Sequence, residues 1–360
     1  MLQDTARTTP LADVAAKDGP TWVDFAGWRM PVQFEGIVAE HMAVRRRAGL
    51  FDISHMGRLV LRGRGADEAV EQLLTRRTGT MTASAIRYSF VVDSQGNILD
   101  DVMVARRRDA WQLIVNAVNR ERVVAHIQRL GYGDLLQDIT FETAMMAIQG
   151  PASAALLDLV WPEADAQTRR RYHLWSVPRN GEVMCGSRSG YTGGDGYEIH
   201  GSPEAVASLW TALREAGAAA CGLGSRDSLR NEAALPLYGH ELRESSSPWE
   251  LGLGYSINLD KEFVGRDEMR RRYDTGISRK RVGLVLTGRR IARENMPVYD
   301  GDVETGCVTS GTWSPLREAP IAQAMLEASS ASAGRTVAVD VRGRREQATV
   351  VELGQLLPRA

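Results

Sequence analysis

Apolar positions recur at helical spacing over roughly 36–48 (IVAEHMAVRRRAG), after an opening segment punctuated by glycine and proline. GRLVLRG then alternates as a short strand does. ADEAVEQLL follows as a helix whose Asp67 and Glu68 suit the positive end of its first turn. Over 86–117, IRYSFVVD, NILDDVMVARR and WQLIVNA are rich in β-branched and aromatic residues. The turns between them, DSQGN and RRRDA, are hairpin-like, so an antiparallel strand set is predicted. NRERVVAHIQRLG predicts a helix ended by Gly131.

A similar alternation follows. FETAMMAIQG reads as a strand and PASAALLDLV as a helix; EVMCGSRSG and DGYEIHGS read as strands about a turn. PEAVASLWTALREAG is an amphipathic helix closed by Gly217. Strand pairs interleaved with helices indicate an α+β fold with antiparallel sheets. From about 279 the texture changes to short, closely spaced strands, among them RVGLVLTG, TGCVTSGTWSP and TVAVDVRGR. A small all-β barrel is expected there, after a linker near 274–280.

Composition narrows the function. The chain has 360 residues, 43% hydrophobic and 25% charged, which suits two or three packed domains. Lys and Arg number 44 against 45 Asp and Glu, so no global charge draws it to nucleic acid or an anionic membrane. Arg45–Arg46–Arg47, Arg106–Arg107–Arg108 and Arg270–Arg271–Arg272 are local cationic clusters, either solvated element ends or a docking patch for an acidic partner. Cys185, Cys221 and Cys307 form no CxxC pair, so a reducing cytoplasm is expected. No apolar h-region opens the chain, and no apolar run reaches the roughly 18 residues of a membrane span.

Several common sites are absent from the sequence. There is no GxxxxGK[ST] loop and no GxSxG elbow, and GLGSRD and GLGYSI lack the third glycine of a dinucleotide fingerprint. None of the six histidines is paired at i, i+4, so no metal site is expected. Catalysis by such a chain would depend on a bound cofactor's reactivity.

The remaining motifs are specific. They are VDFAGWRMPVQF, EHMAVRRRAGLFDISHMGRL, NILDDVMV, VNAVNRE, AIQGP, SGYTGGDGYEIH, GLGSRDSLRNEAALPLYGHEL, LDKEFVGRDEM and VTSGTWSP. In this order and spacing, from about Thr9 to about residue 350, the chain resembles the aminomethyltransferase (T-protein) family. The resemblance implies a three-domain cloverleaf around a channel that takes tetrahydrofolate. The domains expected are 1–278, comprising two interleaved α+β units (about 1–50 with 135–200, and 51–134 with 201–278), and a barrel over 279–360.

The same resemblance implies the site. NILDDVMV puts two adjacent carboxylates on opposite faces of a strand. Asp101 matches the family's catalytic aspartate beside N10 of the folate, with Asp100 the alternative if the register slips by one. Its role would be to stabilise the cationic methylene as it forms, or to accept a proton from N5. Glu198 matches the pterin-binding glutamate, able to accept two adjacent N–H groups, and Arg230 the folate-contacting arginine. A surface strand residue and a helix-face ion pair are the plainer alternatives for these two. Tyr88 and Tyr191 match tyrosines near the pterin, or are plain core. Val115 and Asn116 offer backbone to the pterin. Trp313 either lines the channel from the barrel or plugs an interface, and FAGWRMP is read as a structural corner.

The chain also departs from the family pattern. Arg76–Arg77 replace small polar residues expected near the channel entrance, Gly194 replaces a carboxylate, and the tail reads ELGQLLPRA, leaving Arg359 as the one candidate tail contact. The leading reading is transfer of an aminomethyl-derived methylene from a lipoyl carrier protein to tetrahydrofolate, releasing ammonia. The alternatives are a folate-dependent methyl- or hydroxymethyltransferase acting on a small molecule, and a non-catalytic folate-binding protein.

Overall fold

The computed structural model describes residues 6–358, which places Arg359 outside the described residues. Apolar alternation produces two mainly antiparallel sheets that face each other, with a closed barrel against them. The first large sheet has six strands in the order Leu174–Arg179, Glu182–Ser187, Gly196–Gly201, Ala144–Gln149, Gly49–Asp52 and Ala219–Ala220. The second has five, in the order Ile86–Val92, Ile98–Arg106, Ala110–Val115, Gly57–Arg62 and Leu136–Asp138. A three-stranded sheet over Arg7–Gln33 sits at the start of the chain. The barrel closes six strands between Arg279 and Val351.

Each large sheet buries one face under helices. Helices Ser153–Val160 and Pro203–Glu215 pack into the core of the six-stranded sheet, around Leu50, Met146, Leu209 and Trp210. Helices Ala66–Leu73 and Arg120–Arg129 cover the five-stranded sheet, around Val70, Val102, Val104 and Val123. One grouping differs from the sequence reading. Helix Pro203–Glu215 and strand Ala219–Ala220 join the first sheet, not the second. The reason is tertiary: Ala219 and Ala220 pair in parallel with Gly49 and Leu50, a contact with no local signal. Among the described residues, no helix is long and apolar enough to cross a membrane.

The helix Ile37–Arg46 and the helix Leu223–Glu232 are tied by charge. Glu40 accepts hydrogen bonds from the backbone N–H of Phe34 and Gly36, and also from Gly222 N–H and the Ser225 hydroxyl, both at 2.8 Å. It thereby caps the positive end of the second helix with a carboxylate. His41 and Arg45 both reach Glu232, at 3.0 and 2.8 Å. Gly222 and Gly224 let that helix start directly under the Val32 carbonyl, where an added Cβ would come within 2.4 and 3.1 Å. The glycines of GLGSRD therefore serve close packing.

Each cationic cluster has members paired within the chain. Arg45 is paired as above, Arg106 with Asp67, and Arg271 and Arg272 with Glu268.

Candidate active site

The cleft lies between the uncovered faces of the two large sheets. On strand Ile98–Arg106, Asp100, Val102 and Val104 point into the core and are essentially fully buried. Asp101, Met103 and Ala105 take the opposite face, as strand alternation requires. Met103 and Ala105 line a cavity with Ile114, Met145, Glu198 and His200. Thus one wall comes from the five-stranded sheet and the other from the six-stranded sheet.

Asp101 is held at both carboxylate oxygens. The Tyr88 hydroxyl donates to Oδ2 at 3.0 Å, and the Asn116 side-chain amide donates to Oδ1 at 2.8 Å. Burial pushes Asp101 up to about 6, against the pull of these two donors. Asp100 sits behind it, taking hydrogen bonds from Asn116 N–H (2.8 Å), Asn116 Nδ2 (2.8 Å) and Asn119 Nδ2 (2.5 Å). Burial and the Asp101 carboxylate push Asp100 up, and the amide donors pull it down.

Across the cleft, Glu198 stands on strand Gly196–Gly201. It accepts a hydrogen bond from the Ser189 hydroxyl, which lies 2.8 Å from that of Ser187. The preceding loop is organised by Gln149, whose amide donates to the Ser189 carbonyl at 3.1 Å and whose carbonyl accepts from Thr192 Oγ1 at 3.0 Å. Gly190 and Gly196 leave room for it; a Cβ at either would fall within 2.5 Å of the Gln149 side chain. The loop so fixed carries Tyr191, whose hydroxyl donates to the Pro236 carbonyl.

The arginine facing this wall is Arg226. Its guanidinium stacks 4.8 Å from the Tyr191 ring centroid, and Glu198 is the largest favourable charge it feels. Its Nη1 is buried without a hydrogen-bond partner. Burial, with Arg226 and Arg58 adding their charge, holds His55 down to about 3; burial does the same to His200. Both imidazoles are therefore neutral at neutral pH.

The expected site residues thus fall into separate places. Asp101, Tyr88 and Asn116 form one hydrogen-bonded group, and Glu198 and Tyr191 form another around Arg226. Arg230 is a correction. Its guanidinium is buried against Asp227 at 2.8 Å, Glu241 at 2.6 Å and the Leu235 carbonyl, at the junction with the barrel. Asp227 is three residues earlier on the same helix, and that spacing turns Arg230 away from the cleft. Arg226 has no acidic residue at three or four positions on either side, a difference legible in SRDSLR. Val115 is fully buried in the core of the five-stranded sheet. Trp313 meets the same helix through its carbonyl, 3.4 Å from the Ser228 hydroxyl. At the mouth, Tyr255 stands 6.4 Å from Tyr88 between ring centroids, with Arg76 5.8 Å from the Tyr255 centroid.

Comparison with known proteins agrees with this architecture. Residues 11–261 match the GCVT N-terminal domain family, and residues 279–354 match the glycine cleavage T-protein C-terminal barrel domain. The aminomethyltransferase of Geobacillus kaustophilus is 40% identical over 355 residues, covering 96% of this chain and 98% of its own. That of Rubrobacter xylanophilus is 44% identical over 320 residues, covering 88% and 86%. The crystal structure of glycine cleavage system aminomethyltransferase T from Bartonella henselae superposes with a TM-score of 0.91 at 30% identity, covering 98% of this chain and 99% of that one. Fold and relatives together define a folate-dependent one-carbon transferase. The chain belongs to the aminomethyltransferase family, the T-proteins of the glycine cleavage system.

Proposed function

We propose that the chain moves an aminomethyl-derived carbon to tetrahydrofolate in this cleft, with Asp101 as the catalytic carboxylate and Glu198 and Arg226 as the pterin clamp. The observation that carries it is Asp101 itself. It is a carboxylate fixed at both oxygens, pushed up to about 6, and set on the same strand face as the cavity-lining Met103 and Ala105. Glu198 can accept paired N–H groups from a heterocycle edge. The buried, unpartnered Arg226 Nη1 offers a donor to a ring carbonyl on the same wall. A reduced pterin, which carries both features side by side, fits these residues. Tetrahydrofolate supplies the two nitrogens between which the carbon comes to rest.

Asp101 attracts the positive charge that develops on the transferred methylene, and it accepts the proton that a folate nitrogen gives up. Tyr88 and Asn116 hold it in place for both tasks. Neutral His55 and His200 keep further positive charge out of the cleft. The partner we propose is the lipoyl carrier protein of the glycine cleavage system, whose arm delivers the aminomethyl group and from which ammonia leaves. The free state of Cys185, Cys221 and Cys307 supports a reducing cytoplasm as the compartment.

The experiment is single-turnover formation of methylenetetrahydrofolate from aminomethyl-lipoyl carrier and tetrahydrofolate. Asp101→Ala is expected to slow it about 10²–10⁴-fold. Unchanged turnover removes Asp101 from the mechanism. Product formed only from a free methyl donor would favour the small-molecule reading instead.

A further inference from the structure

The two adjacent aspartates are joined by one side chain, although they lie on opposite faces of their strand. Asn116 stands one residue beyond the end of strand Ala110–Val115, with φ −63° and ψ 140°. Its side-chain amide also approaches the Asp101 carbonyl, at 3.2 Å, so it lies in the plane of the sheet where the backbone ladder stops. From that plane its two N–H groups reach both carboxylates, Asp100 Oδ1 and Asp101 Oδ1, each at 2.8 Å.

We propose that Asp100 is a positioning residue for Asp101: bridged through Asn116, it keeps its own negative charge and obliges Asp101 to be the member of the pair that takes up the proton. The inference rests on the catalytic role assigned to Asp101 above. Its basis is an asymmetry in hydrogen-bond partners. Every partner of Asp100 is an amide N–H: Asn116 N, Asn116 Nδ2 and Asn119 Nδ2. The orientation of Asn119 is fixed from behind, because Arg122 Nη2 donates to its Oδ1 at 3.1 Å. Arg122 also donates to the Leu99 carbonyl, beside Asp100 in the chain. A proton on Asp100 would face an N–H with no acceptor to receive it.

Asp101 differs at one atom. Its second partner is the Tyr88 hydroxyl, which can turn and accept as readily as it donates. A proton arriving on Asp101 Oδ2 therefore keeps a hydrogen bond, and the Tyr88 O–H is freed toward the cleft. Burial and the Asp101 charge push Asp100 up further than burial pushes Asp101, but the hydrogen-bond partners set the opposite order, because only Asp101 has a neutral form that its surroundings satisfy. An ionised neighbour then raises the proton affinity of Asp101. The other ionisable groups facing the pair are Tyr191 and Tyr255 in the cleft, Arg281 of the barrel beside Tyr88, and Tyr238 with Arg122 behind Asp100. In the transfer reaction, the folate N–H bond breaks with its electron pair left on nitrogen, and an O–H bond forms on Asp101.

Carboxyl-labelled aspartate NMR of the full chain, titrated without folate, tests this directly. The wild type is expected to show a buried carboxyl with a midpoint near 6, and Asp101→Asn to abolish it. Asp100→Asn is expected to lower the midpoint by about one pH unit and to move the acid limb of kcat/KM by the same amount. Should Asp100→Asn fail to fold, Asn119→Ala serves. By removing one donor from Asp100 it should lower the Asp101 midpoint and let Asp100 titrate. The proposal is overturned if the titration near 6 survives in Asp101→Asn, or if neither the Asp100 nor the Asn119 variant moves the midpoint. Because the titration needs no folate, it stands apart from the transfer assay. A wild type that titrates as expected yet forms no methylenetetrahydrofolate would sink the catalytic reading and overturn the positioning role with it.

Discussion

Two arginines one helical turn apart, Arg226 and Arg230, have opposite fates. Arg230 is enclosed at the helix–barrel junction with Asp227 and Glu241, and Glu241 is further held by Thr309 and Ser310 from the barrel. Arg226 points into the cleft with Tyr191 stacked on it, Glu198 across from it, and a buried N–H left without an acceptor. One junction is a closed network that fixes where the barrel sits. The other is a network with a member missing, and a binding partner of complementary shape would complete it.

The contrast can be broken most sharply from the closed side. Arg230→Met leaves Glu241 buried and uncompensated, and should cost about 3–5 kcal/mol of stability in a denaturant melt. A loss of under about 1 kcal/mol would show that the junction is not the closed network described. On the open side, Arg226→Gln or Glu198→Gln should weaken tetrahydrofolate binding by about 10–100-fold in calorimetry, equivalent to roughly 1.5–3 kcal/mol for a charged hydrogen bond. Their melting temperatures should stay near that of the wild type. Equal losses of stability on both sides would erase the distinction.

Asp101 provides a smaller and pH-dependent test. Its folded value near 6 lies above that of the unfolded chain, so ionising it costs stability as pH rises from about 4 through 6. Asp101→Asn should therefore be more stable than the wild type at pH 7 by about 1–3 kcal/mol, with the gain absent near pH 4. Smallest is Tyr88→Phe. Removing a donor to the carboxylate should raise the acid limb of the activity profile by about half a pH unit, read from kcat/KM. A downward shift would mean that the hydroxyl does not stabilise the ionised form.

Much of the strand framework is legible in the sequence. Alternation in NILDDVMV was enough to put Asp100 and Asp101 on opposite faces, because a strand has a period of two whatever surrounds it. Short strands at close spacing after 279, with no α-helix between them, mark a barrel. What stayed hidden depended on contacts far apart in sequence. Nothing near Ala219 signals its pairing with Gly49, and this moved a whole helix from one sheet to the other. Motif matching could not separate Arg226 from Arg230, since both fall within one string; helix arithmetic with Asp227 could have done so. The sequence points to Asn116 only as backbone for a ligand; its bridging of two carboxylates depends on where the strand ends.

Glu40 grips the turn at Phe34 and Gly36 with one oxygen and the start of the Arg226 helix with the other. A carboxylate shared in this way ties the placement of the outer turn to that of the first turn of the helix bearing Arg226.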